Sequence, residues 1–288
     1  MTNKEYKRRK YSRKVKNEQK ISIVKKKENY KKIISVIVVV AVIASVGGLF
    51  GFHIIKFPSL NSDGSFSAPS VTPWGSGEKI SNSNFGSNVH IYYFSWYGCP
   101  FGAADSWPFY IALNQYLNTN LSAHGWVALH ESLSGDVYGN TPGLIFNQSF
   151  SYKNVVFTPV YVYNQTMTGY ASNNTPIKNT SLVSVGLNEI NKSVPASVSS
   201  LEYKYLYVLP VTGYQVSSFL HFNLTHVNTN IIITGPNGAW LFNGPIYNPS
   251  ILRQNSTTAF KPTHVINNLR IIPSSAVSSV LSAIKQVS

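Results

Sequence analysis

The sequence predicts an α/β protein: a mixed sheet with flanking helices, held outside a membrane by one N-terminal helix. Three observations lead there. Val89–Ser95 is apolar nearly throughout, the pattern of a strand buried on both faces at the centre of an α/β sheet. It is followed at once by a helical stripe of Ala103, Trp107, Tyr110, Ile111, Leu113 and Leu117. Far upstream, Ile33 to Phe52 contains only Ile, Val, Ala, Leu, Phe, Gly and Ser.

Charge divides the chain. Residues 1–32 hold 14 Lys and Arg against 3 Asp and Glu, whereas residues 33–288 hold 10 against 7. The net charge of +14 therefore belongs to a tail and not to a basic domain. Runs such as Lys7-Arg8-Arg9-Lys10 and Lys25-Lys26-Lys27 are solvated segments. The apolar run beside them gives a better reason for the charge than a nucleic acid does, so no nucleic-acid partner is expected. About 20 apolar residues cross a bilayer as a helix, which makes 33–55 a transmembrane helix with the lipid bilayer as its partner. The run is longer than the apolar core of a cleaved signal peptide. The basic flank places residues 1–32 in the cytoplasm as a tail and the C-terminal domain outside. Residues 56–88 are rich in Ser, Gly, Asn and Pro without apolar periodicity, and read as a flexible stalk. Residues 89–288 are the extracytoplasmic domain.

Charged residues make up 12% of the chain, about half the usual share. A surface that depends little on carboxylates changes little when they protonate, so an acidic exterior is expected. A steep loss of stability between about pH 5 and pH 3 would count against it.

Within the outer domain, the first strand and helix are joined by Trp96-Tyr97-Gly98-Cys99-Pro100-Phe101-Gly102. Cys99 is the only cysteine. A thiol at a helix start faces free amides, which favour the thiolate, and its place between Gly98 and Pro100 argues for partial exposure. A lone Cys closes no internal disulfide; it is either a reactive monothiol or an inert buried thiol. Pro108 should kink or divide the helix. Trp126–His130 reads as the next strand, parallel to the first in a βαβ unit. Ser149–Tyr163 is strand-rich, 164–200 is a loop or loose insertion with short helices, and Tyr203–Val211 reads as a strand. Asn230–Phe242 reads as a hairpin around Gly235-Pro236-Asn237-Gly238. Pro273-Ser274-Ser275 opens a closing helix with Ala276, Val277, Val280, Leu281 and Ile284 on its apolar face.

Other chemistry is thin. Six histidines of the outer domain are scattered, no metal site or cofactor is expected, and no Gly-rich phosphate loop opens a helix. His130, Glu131 and Asp136 near the Cys99 face allow a Cys-His-Asp set, although the spacing is not diagnostic. Asn120, Asn147, Asn164, Asn173, Asn179, Asn191, Asn223 and Asn255 begin N-x-[ST] sequons, all after the apolar run, which agrees with an outside, glycosylation-accessible domain.

Four stretches carry a family resemblance: Cys99–Trp107, Asp136–Pro142, Phe150–Val160 and, more weakly, Phe242–Pro249. On these the chain resembles an archaeal membrane-anchored family, domain of unknown function 929, itself similar to thioredoxin-like proteins. The resemblance implies a thioredoxin-like mixed sheet with an insertion and the motif Trp96, Gly98, Cys99, Pro100 and Gly102 as its site. Relatives carry a second Cys where this chain has Gly102, so a dithiol reaction within one molecule is not expected. The resemblance also implies a cis-proline beside the thiol. Thr141-Pro142, with Pro142 lying 43 residues after Cys99, fits by spacing, whereas the hairpin and final helix would put Ile231 in that place. Two functions remain: a monothiol redox or disulfide-handling protein, or a non-catalytic surface protein that binds a protein or glycan partner on the same scaffold.

Overall fold

The computed structural model describes residues 77–136, 138–209, 224–255 and 258–288. The basic tail, the apolar run at 33–55 and most of the expected stalk lie outside these. Among the described residues no helix is long and apolar enough to cross a membrane.

The strands are β1 (Glu78–Ser81), β2 (Val89–Ser95), β3 (Val127–Glu131), β4 (Pro142–Phe146), β5 (Phe150–Tyr152), β6 (Val155–Tyr161), β7 (Asn230–Gly235) and β8 (Gly238–Asn243). The helices are α1 (Pro100–Leu117), α2 (Leu182–Ser193), α3 (Ala196–Tyr203), α4 (Pro262–Asn267) and α5 (Ser274–Val287). Six strands form one mixed sheet in the order β1-β8-β7-β2-β6-β5. β2 and β6 run parallel, and every other pair in the sheet is antiparallel.

Period-2 alternation builds two cores from the same strands. Val89, Ile91 and Tyr93 of β2 join Phe157, Ile231, Ile233 and Phe242 under α1 and α5. Tyr92 and Phe94 of β2 join Ile232, Leu241 and Val160 on the opposite face, where α2 and α3 contribute Leu182, Ile190 and Val198. The described domain is thus three layers, helix on sheet on helix. β2 lies at the centre, as its apolar run requires.

The hairpin and the closing helix form where expected, with Ala276, Val277, Val280 and Ile284 buried. Three expectations about the strands fail. β3 is not the parallel partner of β2; it pairs antiparallel with β4 in a separate two-stranded sheet, and β6 takes the parallel place. Ala128 and Leu129 of β3 are exposed, so that short apolar run fills an outlying hairpin and not the core. Tyr203–Val208 is not a strand: α3 ends at Tyr203 and a π-helical turn covers Lys204–Val208. Tyr205 is buried there and donates its hydroxyl to the Ile80 carbonyl at 2.8 Å. That same Ile80 lies in β1, within the stretch expected to be stalk, and the strand pairs with β8 at the sheet edge.

Pro108 neither ends nor divides α1, which runs unbroken from Pro100 to Leu117. Proline at 108 removes the amide that would bond the Ala104 carbonyl four residues back. The Tyr247 hydroxyl donates to that carbonyl instead, at 2.9 Å.

Candidate functional site

β2 ends at Ser95 in the middle of the sheet, and Trp96-Tyr97-Gly98 turn the chain into α1. Cys99 is the N-cap residue, with extended backbone, and Pro100 takes the first helical position, where its missing amide costs nothing. The Cys99 sulfur accepts a hydrogen bond from the Gly102 amide at 3.4 Å. It shares a second with the Thr229 hydroxyl at 3.0 Å. Thr229 Oγ1 also lies 2.9 Å from Ser95 Oγ. Thr229 thus links the thiol to the Ser95 hydroxyl beneath the helix start, and all three residues are buried.

Burial decides the electrostatics. Cys99 is 3% exposed, contrary to the expected partial exposure. Desolvation pushes its thiol up; the hydrogen bonds from Thr229 and from the Gly102 and Phe101 amides pull the other way and are outweighed. Burial therefore opposes the thiolate that a helix start would favour. The lid over the turn is backbone. Leu133 N donates to the Gly98 carbonyl at 2.9 Å, and a side chain at Gly98 would meet the Gln165 carbonyl at 2.1 Å.

Position 102, where a paired thiol would stand, is filled from outside. A Cβ on Gly102 would lie 2.1 Å from Ser95 Oγ and 3.1 Å from Thr229 Oγ1. The hydroxyl of Ser95 occupies that space.

Trp96 is buried, edge-on to the His226 ring at 5.9 Å. Pro142 is not what the spacing suggested. No peptide bond among the described residues is cis. Pro142 opens β4 opposite Glu131, and its carbonyl accepts from Trp107 Nε1 at 2.8 Å on the flank of α1. Thr229, immediately before β7, is the residue that meets the sulfur, and Ile231, the other position considered, lies inside β7 opposite Tyr93. Sequence reading missed Thr229 and Ser95. The available signal was local: Ser95 is a hydroxyl ending an apolar run, and Thr229 is the hydroxyl residue at the head of the hairpin.

His130, Glu131 and Asp136 do not assemble on the thiol. His130 Nε2 is bonded to the Tyr97 carbonyl, Glu131 is paired with Lys261 at 3.1 Å, and Asp136 accepts from the Tyr138 amide. Among the described residues no group of three His, Cys, Asp or Glu is placed to hold a metal ion. The nearest carboxyl influence on Cys99 is Asp105, fully buried in α1. Asp105 Oδ1 accepts from the Ile246 amide at 2.8 Å, and burial holds its carboxyl well above the usual range.

The fold and site define a three-layer α/β domain with one sealed thiol at a strand-to-helix junction. The chain belongs to the family described as domain of unknown function (DUF929), whose model matches residues 77–288. No curated protein and no solved structure matches it.

Proposed function

We propose that the chain is a membrane-anchored, extracytoplasmic protein whose outer domain is a degenerate thioredoxin-like scaffold that binds a protein or glycan partner without thiol chemistry. The arrangement β6-β2-β7-β8 around one parallel pair, with α1 after the Cys strand and α5 after the hairpin, supports the thioredoxin-like reading. The basic tail and uncharged run of the sequence support the anchor. The observation that carries the non-catalytic reading is the seal on Cys99: a buried thiol bonded to Thr229, with the Ser95 hydroxyl where a second sulfur would need to stand. A thiol attacks as thiolate and needs access, and burial works against both here.

Alkylation of the full-length chain in detergent tests this. Cys99 in the folded protein should react with a maleimide more slowly than in denaturant by about two orders of magnitude, since reaction waits on local opening. Rapid labelling of the folded protein, or capture of a mixed disulfide with oxidised glutathione, would overturn the binding reading. The monothiol reading would then stand, resting on the Gly102 amide already aimed at the sulfur.

A further inference from the structure

We propose that Glu202 is a proton-operated latch: as the neutral acid it fastens the helical segment 196–208 to the head of β7, and on losing its proton it releases that segment. The inference stands apart from the binding reading above. Glu202 sits on α3 and is fully buried. Its Oε1 accepts from Asn230 Nδ2 at 2.8 Å. Its other oxygen, Oε2, and Asn230 Oδ1 are both buried with no hydrogen-bond partner. Asn230 Nδ2 donates also to the Asn228 carbonyl, so the amide cannot be turned round to help. A carboxylate and an amide oxygen are both acceptors. What the cluster lacks is a donor, and a proton on Glu202 is one.

Among the described residues no cation pairs with Glu202. Lys192 pairs with Glu189 and Lys261 with Glu131. The ionisable groups around it add little relief. Tyr207, on the π-helical turn, is held neutral by burial and by Glu202 itself, with Tyr163 and Tyr203 beside it. Lys204 on the same turn directs its ammonium to the Tyr205 ring at 5.9 Å, and Tyr205 feels Glu78 from β1. From the stretch before β7, His226 packs at Trp96 and Tyr163, and burial lowers its pKa against the pull of Asp136. An ionised Glu202 would therefore be a buried, uncompensated charge, which proteins avoid by protonation or by opening.

Position gives the latch its reach. The segment it fastens ends in a π-helical turn, a geometry often found at functional places. Asn230 is next to Thr229, which holds both Cys99 and Ser95. Opening of the segment thus loosens the strand end that seals the thiol.

The sign follows from burial. Glu202 is pushed up to about 8 from an ordinary value of 4.5. The folded state holds the proton more tightly, so the latch is fully closed below 4.5 and weakens as pH rises toward 8. Its closing constant falls by up to about tenfold per pH unit across that window. Amide hydrogen exchange of the full-length chain from pH 5 to pH 8, corrected for intrinsic exchange, reads this directly. Amides of 196–208 should lose protection by about 100-fold or more. Glu202→Gln, which supplies a permanent donor, should flatten the dependence. Protection of 196–208 that is constant with pH in the natural chain would overturn the proposal whether or not the variant folds. So would an equal loss in Glu202→Gln.

Discussion

Ser95 and Gly102 share one space, and that makes their side chains a coupled choice. Gly102→Ala puts a methyl 2.1 Å from Ser95 Oγ and should destabilise the domain by about 1–3 kcal/mol, the usual cost of overpacking. Because the Ser95 Cβ is 3.1 Å away, Ser95→Ala should relieve most of that loss and not all of it. Urea midpoints of the two single variants and the double variant would show a coupling of about 0.5 kcal/mol or more; simple additivity would mean that the two sites do not contact. Asp105 makes a second residue-scale prediction. Its carboxyl is raised in the folded state by burial, so its contribution to stability is complete below the ordinary value of 3.8 and declines as pH rises from there toward the folded value. Asp105→Asn keeps the acceptor for the Ile246 amide and loses the charge. Its urea midpoint should be flatter than that of the natural chain between about pH 4 and pH 7. Cys99 announced itself as a site by being the only cysteine before a helix. Its burial did not, because nothing local records that Thr229 and the Gln165 backbone come from 130 and 66 residues away to cover the turn.

Helix α1 survives its proline because another element replaces the lost bond. Tyr247→Phe leaves the Ala104 carbonyl with neither the amide of residue 108 nor the phenol. A buried acceptor without a partner costs about 1–3 kcal/mol, and a urea midpoint shift of that size is expected with the fold retained. No shift would mean that the carbonyl finds another donor. Helix α2 gives the opposite lesson about propensity. Gly186 lies mid-helix, where alanine is ordinarily better by about 1 kcal/mol. Here a methyl would lie 2.3 Å from the Tyr163 hydroxyl and 2.6 Å from Val227. The Tyr163 hydroxyl donates to the Leu182 carbonyl and accepts from the Val227 amide, so it is not at liberty to move. Gly186→Ala should lower the thermal midpoint; a rise would show that propensity outweighs the contact. The misreading of Tyr203–Val208 has a similar origin. A short apolar, aromatic run suits a strand or a buried helical turn equally, and Tyr205 bonded to Ile80 settles it from outside.

At the scale of the molecule, β1 moves the start of the domain. Ile80 is 1% exposed, and β1 covers the β8 edge, which would otherwise offer unpaired backbone to other chains. A chain beginning at residue 89 should aggregate, whereas one beginning at 77, where the family match starts, should stay monodisperse in size-exclusion chromatography. Equal behaviour of the two would deny β1 its role. The scarcity of carboxylates also acquires a structural side. Of the Asp and Glu described, Asp105 and Glu202 are fully buried without a cation, and both are raised by burial. Both contributions favour the folded state at low pH, in keeping with the acidic exterior expected from composition.

The sequence by itself determined the central strand, the helix after the cysteine, the hairpin and the closing helix. Each is written in the periodicity and turn chemistry of a continuous stretch, and such local signals need no partner to be read. Tertiary structure alone decided which strand lies parallel to β2, that Pro142 serves the flank of α1 while Thr229 serves the thiol, and that a lone cysteine at a helix start is sealed. Those outcomes depend on groups distant in sequence meeting in a buried place, where desolvation outweighs what a helix start alone would favour.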